Sequence, residues 1–382
     1  MRTIYLDYNA TTPIAPRVQE AMLPLMAEHF GNPSSNHAIG LAARQAVEDA
    51  RTRVAGLLGA ESSEITFTSG GTESNNLALV GVLRALAATA DTANRRHLVI
   101  STLEHPATVE PARFLQSLGY ELTLVECDDN GMVSPHAVEA ALRPDTALVS
   151  IMHANNEIGS VQPIAEISAV CHDRSVLLHT DAAQSAGKIA TDVAELGVDL
   201  LSIAGHKLYA PKGVGALFVR RGTPIAPVLH GAGQESGLRP GTENVILIAG
   251  LGAAAALAAE GLSDYGTRTA ALRDRLLGRL RDGVGSRLTI NGEAAPRLPN
   301  TLSVNFPGVI ADQLLRKIPE LCAATGAACH SGATRLSVTL QAIGLDEETA
   351  RGTIRLSVGW YTSDEEVDRA ADWLISAWET LR

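Results

Sequence analysis

From residue 65 to about residue 220, short apolar runs alternate with stretches whose apolar positions recur every three or four residues. The runs "ITFTS", "HLVIST", "ELTLVEC", "TALVSIMH", "SVLLHTD", "DLLSIAG" and "VGALFVRR" have strand length, and "TESNNLALVGVLRAL" is the first amphipathic helix among them. Runs that are apolar throughout predict strands buried on both faces, as in a mostly parallel sheet covered by helices. The pattern is therefore α/β. After residue 260 it changes to a long amphipathic helix, "RTAALRDRLLGRLRDGV", and then to the strands "LTING", "NTLSVNFPG" and "GTIRLSVGW" with two further helices, which fits a smaller α+β lobe. The segment "AALAAEGLSDYG", residues 255 to 266, reads as a helix end between the two regimes.

A chain of 382 residues exceeds the size at which one core usually stops growing. The expected division is a large domain over 13–260 and a small domain made of 1–12 plus 261–382, the latter carrying a loop at about 324–336. Charge narrows the function classes. Lys and Arg number 31 against 42 Asp and Glu, a formal charge of −11 with no basic block, so neither nucleic acid nor an anionic membrane is an expected partner. The opening "MRTIYLDYNATTP" lacks the basic and apolar regions of a signal peptide, and no long uninterrupted apolar span is read further on, so a soluble cytoplasmic protein is expected. Four cysteines without a CxxC predict neither a disulfide framework nor a metal site. Cys127, Cys171 and Cys322 read as packing residues, and Cys171, His172 and His179 lack a ligand spacing. Cys329 differs: in "ATGAACHSGATRL" it has small neighbours, and Gly326 and Gly332 predict an exposed, movable loop.

Open α/β sheets bind ligands at the carboxyl ends of their strands. There this chain places "SGGT" (Ser69 to Thr72), Glu104-His105, "MHANNEIG" (152 to 159), "HTDAAQ" (179 to 184) and "AGHKLYAPKG" (204 to 213). Gly71 and Thr72 before a helix form an anion cradle, although an ordinary capped turn would look the same. Asp181 as a helix cap and Lys207 as a surface lysine are each plausible alone. Together, a carboxylate and an amine at successive strand ends beside a phosphate cradle fit pyridoxal phosphate, whose ring needs a lysine and a carboxylate partner. A rival nicotinamide reading rests on "GLGAAA" (Gly250 to Ala255), but the acidic residue expected about twenty positions later is missing. Other chemistry on the same cofactor, or a silent binding scaffold, would not need Cys329 or would dispense with Lys207 and Asp181.

Taken in order, "YLDYNATTP", "FGNPSSNH", "TSGGTESNN", "EHPA", "HANNEIG", "HTDAAQSAGK", "GHKLYAPKGVGAL", "LRPGTEN", "RLPNT", "GAACHSG" and "IRLSVG" resemble the pyridoxal-phosphate-dependent cysteine desulfurases and selenocysteine lyases, over nearly the whole chain. The resemblance implies a type I aminotransferase-like fold of class V, a homodimer, and an enzyme that takes sulfur from L-cysteine, or selenium from L-selenocysteine, to leave alanine. It also implies a sulfur-acceptor protein as partner. By motif, Lys207 is similar to the Schiff-base lysine, Asp181 to the pyridinium partner and His105 to the imidazole stacked on the ring. Gly71, Thr72 and His206 match phosphate binders, Asn156 and Gln184 the ring-oxygen side, and Thr242 a contact to the other subunit's phosphate. Arg355 matches the clamp on the substrate carboxylate and Cys329 the nucleophile that becomes a persulfide. Ala204, where many desulfurases carry a serine, and "GAACHS" look more like the selenocysteine lyase branch.

Overall fold

The computed structural model describes residues 3–330 and 333–382, with backbone alone for 327–330 and 333–335. After a short strand β1 (Ile4–Tyr5), the predicted runs form β2 (Ile65–Thr68), β3 (His97–Ser101), β4 (Glu121–Val125), β5 (Thr146–Ser150), β6 (Leu177–Asp181), β7 (Leu200–Ala204) and β8 (Gly215–Val219). They make one seven-stranded sheet in the order β2-β8-β7-β6-β5-β3-β4. Strands β4, β3, β5, β6 and β7 run parallel, while β8 is antiparallel to both β7 and β2. Alternate residues of one strand serve opposite cores: Val99 packs with Val149 and Leu178 on one face, Leu98 and Ile100 with Leu79 and Leu83 on the other. Each such side chain, fully buried, contributes roughly 1.5–3 kcal/mol. Two-sided burial is why the central strands read as unbroken apolar runs, whereas β4 at the sheet edge is largely exposed or half-buried.

Helices α1 (Pro16–Ala27) and α2 (Ala38–Leu58) pack against the long helix Val245–Val284, and α3 (Gly71–Ala87) follows β2 directly. The long helix corrects the expected break at 255–266, since it runs 40 residues without interruption. Gly261 and Gly266 each cost about 1 kcal/mol in a helix interior. Burial of Leu251, Ala254, Ala255 and Ala258 in one core and Leu272, Leu276 and Leu280 in the next outweighs that cost. Its first half is apolar and long enough to cross a membrane by composition, but it is a core helix. A Cβ on Gly252 would sit 2.5 Å from Ala50 Cα, so "GLGAAA" is a close helix contact and not a nucleotide loop.

Four strands, β9 (Thr289–Ile290), β10 (Thr301–Asn305), β12 (Ala324–Thr325) and β15 (Thr353–Ser357), form a second, antiparallel sheet ordered β12-β15-β10-β9. The chain start joins this region: β1 pairs in parallel with β11 (Leu321–Cys322), and Ile4 and Leu6 enter the core around Phe306 and Trp378. Where a loop was expected, β13 (Ala327–His330) pairs antiparallel with β14 (Ala333–Leu336), with Cys329 opposite Thr334. Gly326 serves packing there, not mobility. It is buried, and a Cβ on it would lie 2.5 Å from Leu340 Cδ1 and 2.9 Å from Thr353 Cβ.

Candidate active site

Because β3, β5, β6 and β7 are parallel and β2 runs the same way, the turns that follow them meet at one edge of the sheet. Together with Asn9 and Arg355 they enclose a cavity of about 440 Å³ lined by Gly71, Thr72, His105, Asn156, Asp181, Gln184, His206 and Lys207. A larger surface cleft, about 930 Å³, lies around the Arg51–Glu235 ion pair and contains none of these residues.

Asp181, the last residue of β6, is buried, and its carboxylate is held from two sides. Oδ2 accepts from Asn75 Nδ2 at 2.7 Å and Oδ1 from the Ala183 N–H at 2.9 Å. Lys207 lies in the turn after β7 and donates to the carbonyl of Asn9. Burial pushes its amine down to about 8, with Arg355 adding to the effect and Asp181 and Asp7 opposing it. His105 caps helix α4 (Pro106–Ser117), its Nδ1 accepting from the Ala107 N–H at 3.1 Å, so the neutral ring carries its proton on Nε2. Burial also lowers its pKa, against the pull of Asp181. His206, whose Nδ1 lies 3.2 Å from Thr11 Oγ1, is pushed down to about 4 by burial and by Lys207 and Lys212.

Gly71 and Thr72 are the first residues of α3, where backbone N–H groups lack helical partners and the helix dipole is positive. They face both the cavity and an adjoining cleft of about 390 Å³ that Lys212 also lines. The opposite approach is different in origin. Arg355 projects from the middle of β15, with Nη2 on Asp7 Oδ1 at 2.6 Å and Nη1 on the Asn156 carbonyl at 3.0 Å. Its Nε is buried without a partner.

Two expected residues stand apart from this cluster. Thr242 is exposed and does not line the cavity, and the Cys329 side chain lies outside the described residues. His179 is buried away from the cavity lining and links three strands instead, with Nδ1 2.7 Å from Ser150 Oγ and Nε2 2.9 Å from Ser202 Oγ. The sequence reading missed Asn75, Asn9 and Glu104 as site residues. Glu104 is raised to about 8 by burial, and its Oε1 accepts from Ser101 Oγ at 2.6 Å and from the Met152 N–H at 2.8 Å, tying the His105 turn to the end of β5. All three sit inside quoted motifs, but apart from the Ser101 bond to Glu104 their partners come from remote segments that no local spacing reveals.

Residues 4–370 match the family model for aminotransferase class V. Cysteine desulfurase IscS of Dictyoglomus turgidum is 45% identical over 383 residues, covering 100% of this chain and 96% of that protein. Cysteine desulfurase IscS 1 of Archaeoglobus fulgidus is 43% identical over 380 residues, with coverage of 99% and 97%. Among solved structures, a NifS-like protein aligns at a TM-score of 0.89 with 37% identity over 99% of each chain. The structure of SspA in complex with cysteine aligns at 0.82 with 37% identity, covering 94% of this chain and 100% of that one. The desulfurases among these relatives do not favour the selenocysteine lyase branch that Ala204 and "GAACHS" brought to mind. The chain belongs to the cysteine desulfurase family of class V aminotransferases.

Proposed function

We propose that this chain converts L-cysteine to L-alanine with pyridoxal 5'-phosphate as cofactor, passing the sulfur to Cys329 as a persulfide for transfer to an acceptor protein. The observation that carries this reading is the meeting of the Lys207 amine, the Asp181 carboxylate and the Arg355 guanidinium in one cavity. The donor set fits the cofactor. The free N–H groups of Gly71 and Thr72 at the start of α3 suit its phosphate. Neutral His206 is a further donor or acceptor for that phosphate, and Thr242 would come from the partner of a homodimer. The ring nitrogen would meet Asp181, and the ring oxygen Gln184 and Asn156.

When bound, the cofactor supplies an electron sink for the substrate Cα. Lys207 attaches it and then holds or moves the α-proton, a task served by an amine near 8, which is about one-tenth free base at neutral pH. Arg355 orients the substrate carboxylate through a planar fork, and His105 would relay the proton that the Cys329 thiol gives up. Cys329 attacks the substrate Sγ as thiolate, forming an S–S bond as the C–S bond breaks; the C–S electron pair stays with the substrate carbon, and Cβ takes up one proton, equal to the one the Cys329 thiol gave up. We assign residues 13–260 to a large cofactor-binding domain and 1–12 plus 261–382 to a small one carrying Cys329, in a cytoplasmic setting. The test is Cys329→Ser. It should abolish alanine release from L-cysteine and leave the visible band of bound cofactor intact, and alanine formed at the wild-type rate would overturn the assignment.

A further inference from the structure

We infer that Lys188 is a positioning residue for the site, fixing the amide of Gln184 so that its nitrogen end serves the cavity. Lys188 is 3% exposed, and neither of its hydrogen-bond partners is a carboxylate. Its Nζ donates to Gln184 Oε1 at 2.9 Å and to Asn9 Oδ1 at 3.1 Å. Both partner atoms are amide oxygens, which only accept, so the oxygen end of each amide faces the lysine, and Asn9 Oδ1 also accepts from Asn300 Nδ2 at 3.0 Å. The nitrogen ends must then point the other way. Gln184 Nε2 donates to the Asn9 carbonyl at 2.9 Å, which leaves its second N–H for an acceptor in the cavity that Gln184 lines. Asn9 Nδ2 donates to the Asn156 carbonyl at 3.2 Å and to Thr301 Oγ1 at 2.8 Å. The Asn9 main-chain carbonyl that receives Gln184 Nε2 also receives Lys207, so the amide that Lys188 orients shares its acceptor with the second lysine.

Stability alone does not account for a lysine at this position. Burying an amine between neutral acceptors is costly, and an apolar side chain of similar volume would fill the space without that cost. Burial, with Lys207 and Arg355 as like-charged neighbours, drives the Lys188 pKa well down. A residue kept against such a cost is better explained by what it orients. The inference rests on the reading above, in which Gln184 meets the ring oxygen of the cofactor, an acceptor that a flipped amide would repel.

The test is Lys188→Met in the full chain, reconstituted with pyridoxal phosphate, with Lys188→Gln as a second variant whose amide imposes no orientation. A donor to the ring oxygen competes with the proton on the lysine–cofactor link, so losing it should raise the pH midpoint of the visible band by about half to one unit. The cofactor Kd should rise roughly tenfold, while the cofactor-free protein melts no lower than wild type. Adding Lys188→Met to Gln184→Ala should shift the midpoint no further than Gln184→Ala does. An unchanged midpoint and Kd in both Lys188 variants would overturn the inference and leave Lys188 a packing residue. Failure of the wild type to develop a visible band with pyridoxal phosphate would overturn the underlying reading instead.

Discussion

The cavity has two walls of unlike construction. One is made of turns that leave parallel strands, with Asp181, His105 and Lys207 each fixed by backbone groups or by a neighbouring turn. The other is a single guanidinium, Arg355, from the middle of an antiparallel strand, held by the Asp7 ion pair and a carbonyl, with the Cys329 hairpin on the same side of the chain order. The first wall is set by topology: any chain forming this sheet delivers those turns to one edge. The second depends on how two cores are brought together, since Asp7 comes from the chain start and Asn156 from the turn after β5. The strand-end wall should therefore govern cofactor attachment, and the other wall the substrate.

The largest expected effect tests the first wall. Lys207→Met should lower alanine formation by more than about 10³-fold, because attachment and proton transfer are lost together. The same variant has an opposite signature in cofactor-free protein. The folded amine titrates near 8 and the unfolded one near 10.5, so below about pH 8 both forms are protonated and the buried charge is a full penalty. Between those values the unfolded chain keeps a proton that the folded chain has shed, and wild-type stability rises with pH. Thermal unfolding should find the Met variant more stable at pH 7, with the gap closing toward pH 10.5. A gap that does not change with pH would mean that Lys207 is not buried as a charge.

Arg355→Lys probes the second wall. A point charge can keep Asp7 but cannot form the planar fork, so kcat/KM for L-cysteine should fall about 10- to 100-fold. Cofactor Kd and the visible band should stay at wild-type values. If cofactor affinity falls by the same factor as kcat/KM, the two walls are not separable and the comparison fails.

The difference between the walls also explains what could be read without a structure. The central strands β3, β5, β6 and β7 were legible because burial on both faces leaves an apolar run, while the edge strand β4 is apolar in sequence although largely exposed or half-buried. A functional side chain directly after a buried run can be located by counting. Asp181, Lys207 and His105 were found that way as positions at strand ends. The pairing of Asp181 with Lys207 already pointed to pyridoxal phosphate, whereas the roles of His105 and Arg355 came from motif resemblance, for nothing in "GTIRLSVG" marks a strand interior as part of a site. Asn75, Asn9 and Lys188 were invisible for a further reason: each acts through a partner more than a hundred residues away in sequence, as Asn75 does on Asp181 and Lys188 on Asn9. The continuous helix Val245–Val284 was missed because Gly261 and Gly266 are local stop signals, overridden by burial at both ends of the helix.

The smallest effect concerns Gly326, which follows β12, the strand paired with the Arg355 strand β15. Gly326 was read as a source of mobility, whereas its backbone is pinned: its N–H donates to the Thr353 carbonyl at 3.0 Å and its carbonyl accepts from the Ser337 N–H at 3.0 Å. Its neighbour Thr353 belongs to β15, two residues from Arg355. A methyl group at 326 must displace the Leu340 and Thr353 side chains, which overpacking costs about 1–3 kcal/mol. Gly326→Ala should thus lower the melting temperature by a few degrees and leave the cofactor band unchanged, since neither Leu340 nor Thr353 lines the cavity. If the alanine variant melts with wild type, the segment gives way freely at that point and the second wall is looser than its packing implies. If it melts lower and kcat/KM for L-cysteine also drops while cofactor affinity holds, the strain has passed along β15 to Arg355, and the substrate wall is tuned by the packing behind it.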